Sequence, residues 1–305
     1  MSITEQDLFL AFKKNHEGNL KKVHLYLNKK YYIYLFNDNE TLALDSAEIR
    51  KLKYIERIWM GEEIRQCFSR YDCYQTIRDI TDVKFALRKH PIFRHKLFHF
   101  LQFEATREDI KNFILSDSIL NLEFFDYLLF SMIGASDQAR SEIIANLWDE
   151  AGRGNVDQFH TTLFKSIMST LGLTYKRDQI IETMTWEGLA GINLFSYLAC
   201  YPHNKMKYYG LLAATEMLDP LHYHQLIKGF SRIDDQHILN YDYYREHEII
   251  DVDHANGWLN KVILPELNLR PDKITEFWLG YYLRLDSALR YFDRLLHIFT
   301  AKQAA

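Results

Sequence analysis

Glycine and proline are scarce in this chain: 305 residues carry only 12 Gly and 5 Pro, and every proline comes after residue 90. Few helix breakers and long amphipathic stretches predict a mostly helical protein. Cysteine is scarcer still. Cys67, Cys73 and Cys200 are an odd number with no CxxC pair, which argues against a disulfide frame or zinc knuckle and for reduced thiols. No run reaches the roughly 18–20 apolar residues of a membrane span, and the start lacks a basic segment followed by an apolar one. The expected compartment is therefore the cytoplasm, with no membrane partner. An excess of positive charge is missing too. The net charge of −4 leaves no electrostatic footprint for nucleic acid.

What is plentiful is apolar material, 48% of residues, with 15% aromatic. That is enough to bury one large core with a small appendage. Residues 22–47 stand apart: KVHLYL and KYYIYLF are β-branched and aromatic, with polar breaks at Asn28-Lys29 and Asn37-Asp38-Asn39. They read as two or three short strands, a β-hairpin within an appendage over residues 1–74, although tyrosine-rich runs also suit helices. From about Tyr74 the helical period takes over, and residues 75–305 read as an all-α bundle with short connections and antiparallel neighbours.

The most informative stretch is REHEIIDVDH, Arg245 to His254. His247, Asp251 and His254 stand at i, i+4 and i+7, within an arc of roughly 60° on a helix. Two imidazoles and a carboxylate on one face form a mixed N/O ligand set suited to iron, manganese or zinc. Glu246, Glu248 and Asp253 point elsewhere and read as solvated or supporting groups. One helix cannot complete a dinuclear site, so other helices must contribute. Glu150 ends the apolar helix NLWDE, Glu216 sits alone in YYGLLAATEML, and His160 follows the break AGRGN. A lone ionised carboxylate on an apolar face is costly to bury without a cation or hydrogen bonds. The bland readings are a hydrogen-bonded core histidine, a solvated cap and a buried hydrogen-bonding acid. Two other pairs, His95/His99 and His222/His224, lack a carboxylate at helical spacing on their face, unless Glu104 reaches back. There is no phosphate loop and no GxSxG nucleophile setting.

Taken in order, Asn146, Asp149, Glu150, Gly152, Gly154, His160 and Phe164, then Gly210 to Glu216, then His247, Asp251 and His254 resemble the heme-oxygenase-like diiron oxidases and oxygenases, the iron-containing redox enzyme family. The resemblance covers roughly residues 75–300. It implies a heme-oxygenase-like helical bundle without heme, since the N-terminal region offers no convincing proximal histidine. It further implies Glu150, His160, Glu216, His247, Asp251 and His254 as ligands of two Fe(II)/Fe(III) ions, with O2 as co-substrate. Asp149 or Asp253 would orient the imidazoles. Glu150 and His160 are ten residues apart, about 80° on a continuous helix, so a bend at AGRGN must re-aim His160. Relatives with N-oxygenase activity resemble this chain in that spacing.

The expected reaction is N-oxygenation, or oxidative C–C or C–H cleavage, of a small amine or amino-acid-like substrate, with fatty-acid decarboxylation as the alternative. Trp186, Lys207, Tyr208 and Tyr244, with Tyr209 and Tyr243 nearby, are the candidate substrate contacts; core packing and a solvated lysine are the plain alternatives. An external reductant and, by analogy of architecture, a homodimer are expected. The competing classes are a metal-free bundle of the same shape, such as a cofactor-independent oxidase, and a non-enzymatic helical adaptor. The adaptor reading needs the acids and histidines at the surface.

Overall fold

A computed structural model describes residues 2–37, 39 and 43–303. The described residues form helices α1 (Glu5–Lys14), α2 (Glu17–Leu35), α3 (Ser46–Arg70), α4 (Ile80–Lys89), α5 (Lys96–Phe103), α6 (Arg107–Met132) and α7 (Asp137–Glu150). They continue with α8 (His160–Thr170), α9 (Arg177–Thr183), α10 (Trp186–Cys200), α11 (Lys205–Ile233), α12 (Asp242–Gly257), α13 (Leu264–Leu269) and α14 (Ile274–Gln303). Short 3-10 turns connect several of them, and no strand occurs among the described residues. The described residues thus form an all-α bundle.

The expected hairpin is the main departure. Residues 17–35 are one continuous helix, α2, and positions 38 and 40–42 of the expected segment lie outside the described residues. The period decides the outcome. Leu20, Val23, His24, Leu27 and Tyr31 are buried at helical spacing, and a helix face packed on α10 outweighs the β preference of Val and Tyr.

Helix starts follow local chemistry. Thr4, Asp45 and Thr106 each close a reciprocal capping box with the acid three residues on, which satisfies otherwise orphaned N–H groups. A continuous apolar core runs from Ile3 to Phe299, so the N-terminal helices share it with the rest of the bundle. At its centre α11 and α14 cross so closely that each needs a glycine. A Cβ on Gly210 would lie 2.1 Å from the Phe277 carbonyl oxygen, and one on Gly280 would lie 1.8 Å from that of Lys207. Cys67, Cys73 and Cys200 form no disulfide. No helix among the described residues is long and apolar enough to cross a membrane.

Candidate metal centre

Four helices meet at the centre. α12 presents His247, Asp251 and His254, exposed by only 5%, 2% and 5%, while Ile249, Val252 and Asp253 on its other side face solvent. α7 delivers Glu150 at its last residue. The chain then unwinds through Gly152, Arg153 and Gly154, all with positive φ (55°, 54° and 87°). It passes a second short 3-10 turn and restarts as α8 at His160. This break brings two residues that a straight helix would splay onto one side. A Cβ at Gly152 would fall 2.5 Å from the Gln158 carbonyl carbon, so the loop closes on itself only with glycine there. Arg153 holds its own left-handed conformation by donating from Nε to Asp149 Oδ1 (2.8 Å).

The six residues fall into two buried groups of three, each able to bring one ligand atom per residue within 4.8 Å of the others: Glu150, His160 and His247, and Glu216, Asp251 and His254. In the first, Glu150 Oε2 is 2.9 Å from His160 Nδ1, and Glu150 Oε1 is 3.5 Å from His247 Nε2. In the second, His254 Nδ1 lies 3.4 Å from Glu216 and 3.8 Å from Asp251. Glu216 comes from the apolar core of α11, where Pro220 leaves the Glu216 carbonyl without its usual helical donor.

The outer partners fix which nitrogen each imidazole offers. His247 donates from Nδ1 to the Tyr243 carbonyl (2.7 Å), which turns the Nε2 lone pair inward. His254 donates from Nε2 to Asp149 (3.2 Å), which turns Nδ1 inward. Such outer bonds set tautomer and ring orientation in metal sites. Of the two acids expected to orient imidazoles, Asp149 does so and Asp253 lies exposed. Glu246 comes closer than its helical position suggested, to 3.6 Å from His160 Nε2. His160 is buried with neither ring nitrogen in a hydrogen bond of good geometry.

Electrostatics in the cluster is strongly perturbed. Burial, with Glu216, Asp219 and Glu150 nearby, pushes the Asp251 carboxyl far above its usual range. Burial pushes Glu150 the same way, but His160 and His247 outweigh it and hold the acid well below its usual range. Burial lowers His254, and Glu216 and Asp149 outweigh it, placing the imidazole at about 9. Three carboxylates and three imidazoles converging out of water, one imidazole without a well-formed hydrogen bond, are a poor arrangement for bare side chains and a suitable one for divalent metal. The set fits iron.

The other histidine pairs serve packing and caps. His95 caps α5 through Nδ1 and meets Asp293 (3.0 Å). His99 stands exposed beside Glu104, His222 stacks on Phe98 with centroids 3.9 Å apart, and His224 pairs with Glu248.

A cavity opens beside Glu150, Glu216, His247 and Asp251. Tyr243 lines it, whereas Trp186, Lys207, Tyr208, Tyr209 and Tyr244 do not. Trp186 stacks on His24 (5.9 Å), Lys207 faces Glu276 (3.7 Å), and the Tyr208 hydroxyl donates to the Tyr127 carbonyl (2.6 Å). Tyr209 lies against Trp258 and Tyr244 against Tyr223. The cavity also holds charged residues that the sequence reading missed: Asp117 on α6, Asp219 on α11 and Arg284 on α14. Burial pushes Asp219 up to about 7, with Arg284 opposing and Glu216 adding to it. A charge inside an apolar stretch was the available signal, in ILSDSIL, TEMLDP and LRLDSAL.

A family model described as iron-containing redox enzyme matches residues 111–289, more than half of the chain. No curated protein matches the chain.

Proposed function

The chain belongs to the iron-containing redox enzyme family, and we propose that it holds two non-heme irons and activates dioxygen to oxidise a small amine or amino-acid-like substrate. The observation that carries this reading is the division of six buried donors into two groups of three, each including at least one residue of α12. Glu150, His160 and His247 would hold one iron, and Glu216, Asp251 and His254 the other. Three protein ligands each leave positions open for oxygen and substrate. Bound there, two ferrous ions would supply two of the four electrons that full reduction of dioxygen requires, the substrate giving the other two, and an external reductant would restore the ferrous state.

The protein's own contribution is orientation and exclusion of water. Tyr243 and Asp149 fix the donor nitrogens of His247 and His254. All six ligands are at most 7% exposed, which keeps bulk water from the reacting oxygen. The same burial speaks against the adaptor reading, which needs these groups at the surface. A metal-free bundle would leave three acids and three imidazoles crowded out of water with little beyond one another to compensate them.

Anaerobic ferrous titration followed by an oxygen pulse tests the proposal, watched by visible absorption. Near two irons per chain are expected, with a transient absorption lost in His247→Ala. No uptake, or uptake indifferent to His247, overturns it in favour of the metal-free bundle.

A further inference from the structure

Arg284 is a cation set in the interior with most of its donors unused. It is only 9% exposed. Its Nε donates to Thr215 Oγ1 (3.0 Å), and the guanidinium sits 5.4 Å over the Phe195 ring. Its Nη groups have no hydrogen-bond acceptor and no carboxylate within ion-pair distance among the described residues, and the residue lines the cavity. Asp117 and Asp219 line the same cavity. Asn121 Nδ2 donates to Asp117 Oδ2 (2.8 Å) and leaves Oδ1 free, while Asp219 makes no hydrogen bond or ion pair among the described residues. Three different helices hold these charges beyond ion-pair distance, so Arg284 favours the charged form of both acids across the cavity without contacting either.

A buried guanidinium with a free fork matches one ligand chemistry above others, a carboxylate bound through two parallel N–H donors. Two half-buried carboxylates with no cation at ion-pair distance match an ammonium. A fatty acid would satisfy Arg284 and leave both acids uncompensated, and a simple amine would do the reverse. Resting on the proposed metal function for its chemistry alone, we propose that Arg284, Asp117 and Asp219 bind a free α-amino acid, with its carboxylate on Arg284 and its ammonium on the two acids. The aromatic wall of Phe98, Phe113, Phe124 and Phe292 takes an apolar side chain.

Both anchors are tied to the metal centre. Arg284 bonds the residue before Glu216. Asp117 is held by Asn121, which accepts from the Tyr243 hydroxyl, and the Tyr243 ring lies 4.2 Å from that of His247. The polar end of the bound molecule therefore faces the irons and its side chain faces away.

Calorimetric titration of the anaerobic iron-loaded protein with each proteinogenic amino acid tests this. Each binder is then compared with its decarboxylated amine and its deaminated acid. At least one apolar amino acid binds, and both analogues bind about 10- to 100-fold more weakly. Arg284→Gln removes the preference over the amine, and Asp117→Asn the preference over the acid. Arg284→Lys, which keeps the buried charge, serves if Arg284→Gln does not fold; it loses the paired donors and binds more weakly. No binding by any amino acid, analogues binding as tightly as the parent, or affinity unchanged by substitution at Arg284 each overturns the proposal. Iron content, measured on the same samples, separates the two readings. Two irons without amino-acid binding sinks only this one, and amino-acid binding without iron sinks only the metal reading.

Discussion

His254 shows how much a single imidazole carries here. Glu216 and Asp149 hold its pKa up, at about 9, against burial, while iron needs it neutral. In the iron-free protein its ion pairs contribute stability that is full below the unfolded value of about 6.5 and lost as pH rises through about 9. Iron competes with that proton. Ferrous affinity should therefore rise with pH, by about tenfold per unit between 7 and 9, and level off above. A flat profile in anaerobic titrations over that range would show that His254 does not ligate. Asp149→Asn should weaken iron at the second group by about 10- to 100-fold, read as loss of one of two bound irons at limiting metal, while His254→Ala should remove that iron outright. Arg284, Asp117 and Asp219 left only a weak signal in the sequence, a charge inside an apolar stretch, because most helical charges are solvated and only neighbouring helices reveal which ones are enclosed.

At the scale of elements, the turn between α7 and α8 decides the first ligand group. Gly152 combines φ +55° with a contact that no Cβ can share. Gly152→Ala should cost about 1–3 kcal/mol in local strain and displace His160, so iron content should fall toward one per chain with helicity retained by circular dichroism. Two tightly bound irons in that variant would mean that the turn does not position His160. The crossing of α11 and α14 is a different case, because it supports the fold beside the site. Gly280→Ala forces a methyl into the Lys207 carbonyl and should destabilise by about 1–3 kcal/mol or more, seen as a lower denaturant midpoint in the iron-free protein. The helix α2 belongs here too. Its residues have strand-like composition, and only the spacing of the positions that meet α10 and α3 marks them as helical.

For the molecule as a whole, the N-terminal helices are part of the core. Arg70 and Glu63 of α3 pair with Asp286 and Arg290 of α14 (3.0 and 2.9 Å), and Asn193 of α10 reaches the His24 carbonyl of α2 (2.9 Å). A chain starting at residue 75 should strip the cover from α10 and α14 and be recovered insoluble or unfolded; a soluble, cooperatively melting fragment would show that the bundle stands without them. The sequence by itself determined the helical class and the ligand face of α12, because both depend on a period of 3.6 residues that local spacing records. It also exposed Glu216 as an acid out of place. Only the tertiary structure decided that Glu150 and His160 join His247 while Glu216 joins Asp251 and His254, and that Arg284, Asp117 and Asp219 share a cavity. Those pairings depend on how helices distant in sequence cross, and the close contacts that fix the crossings leave no local period to read.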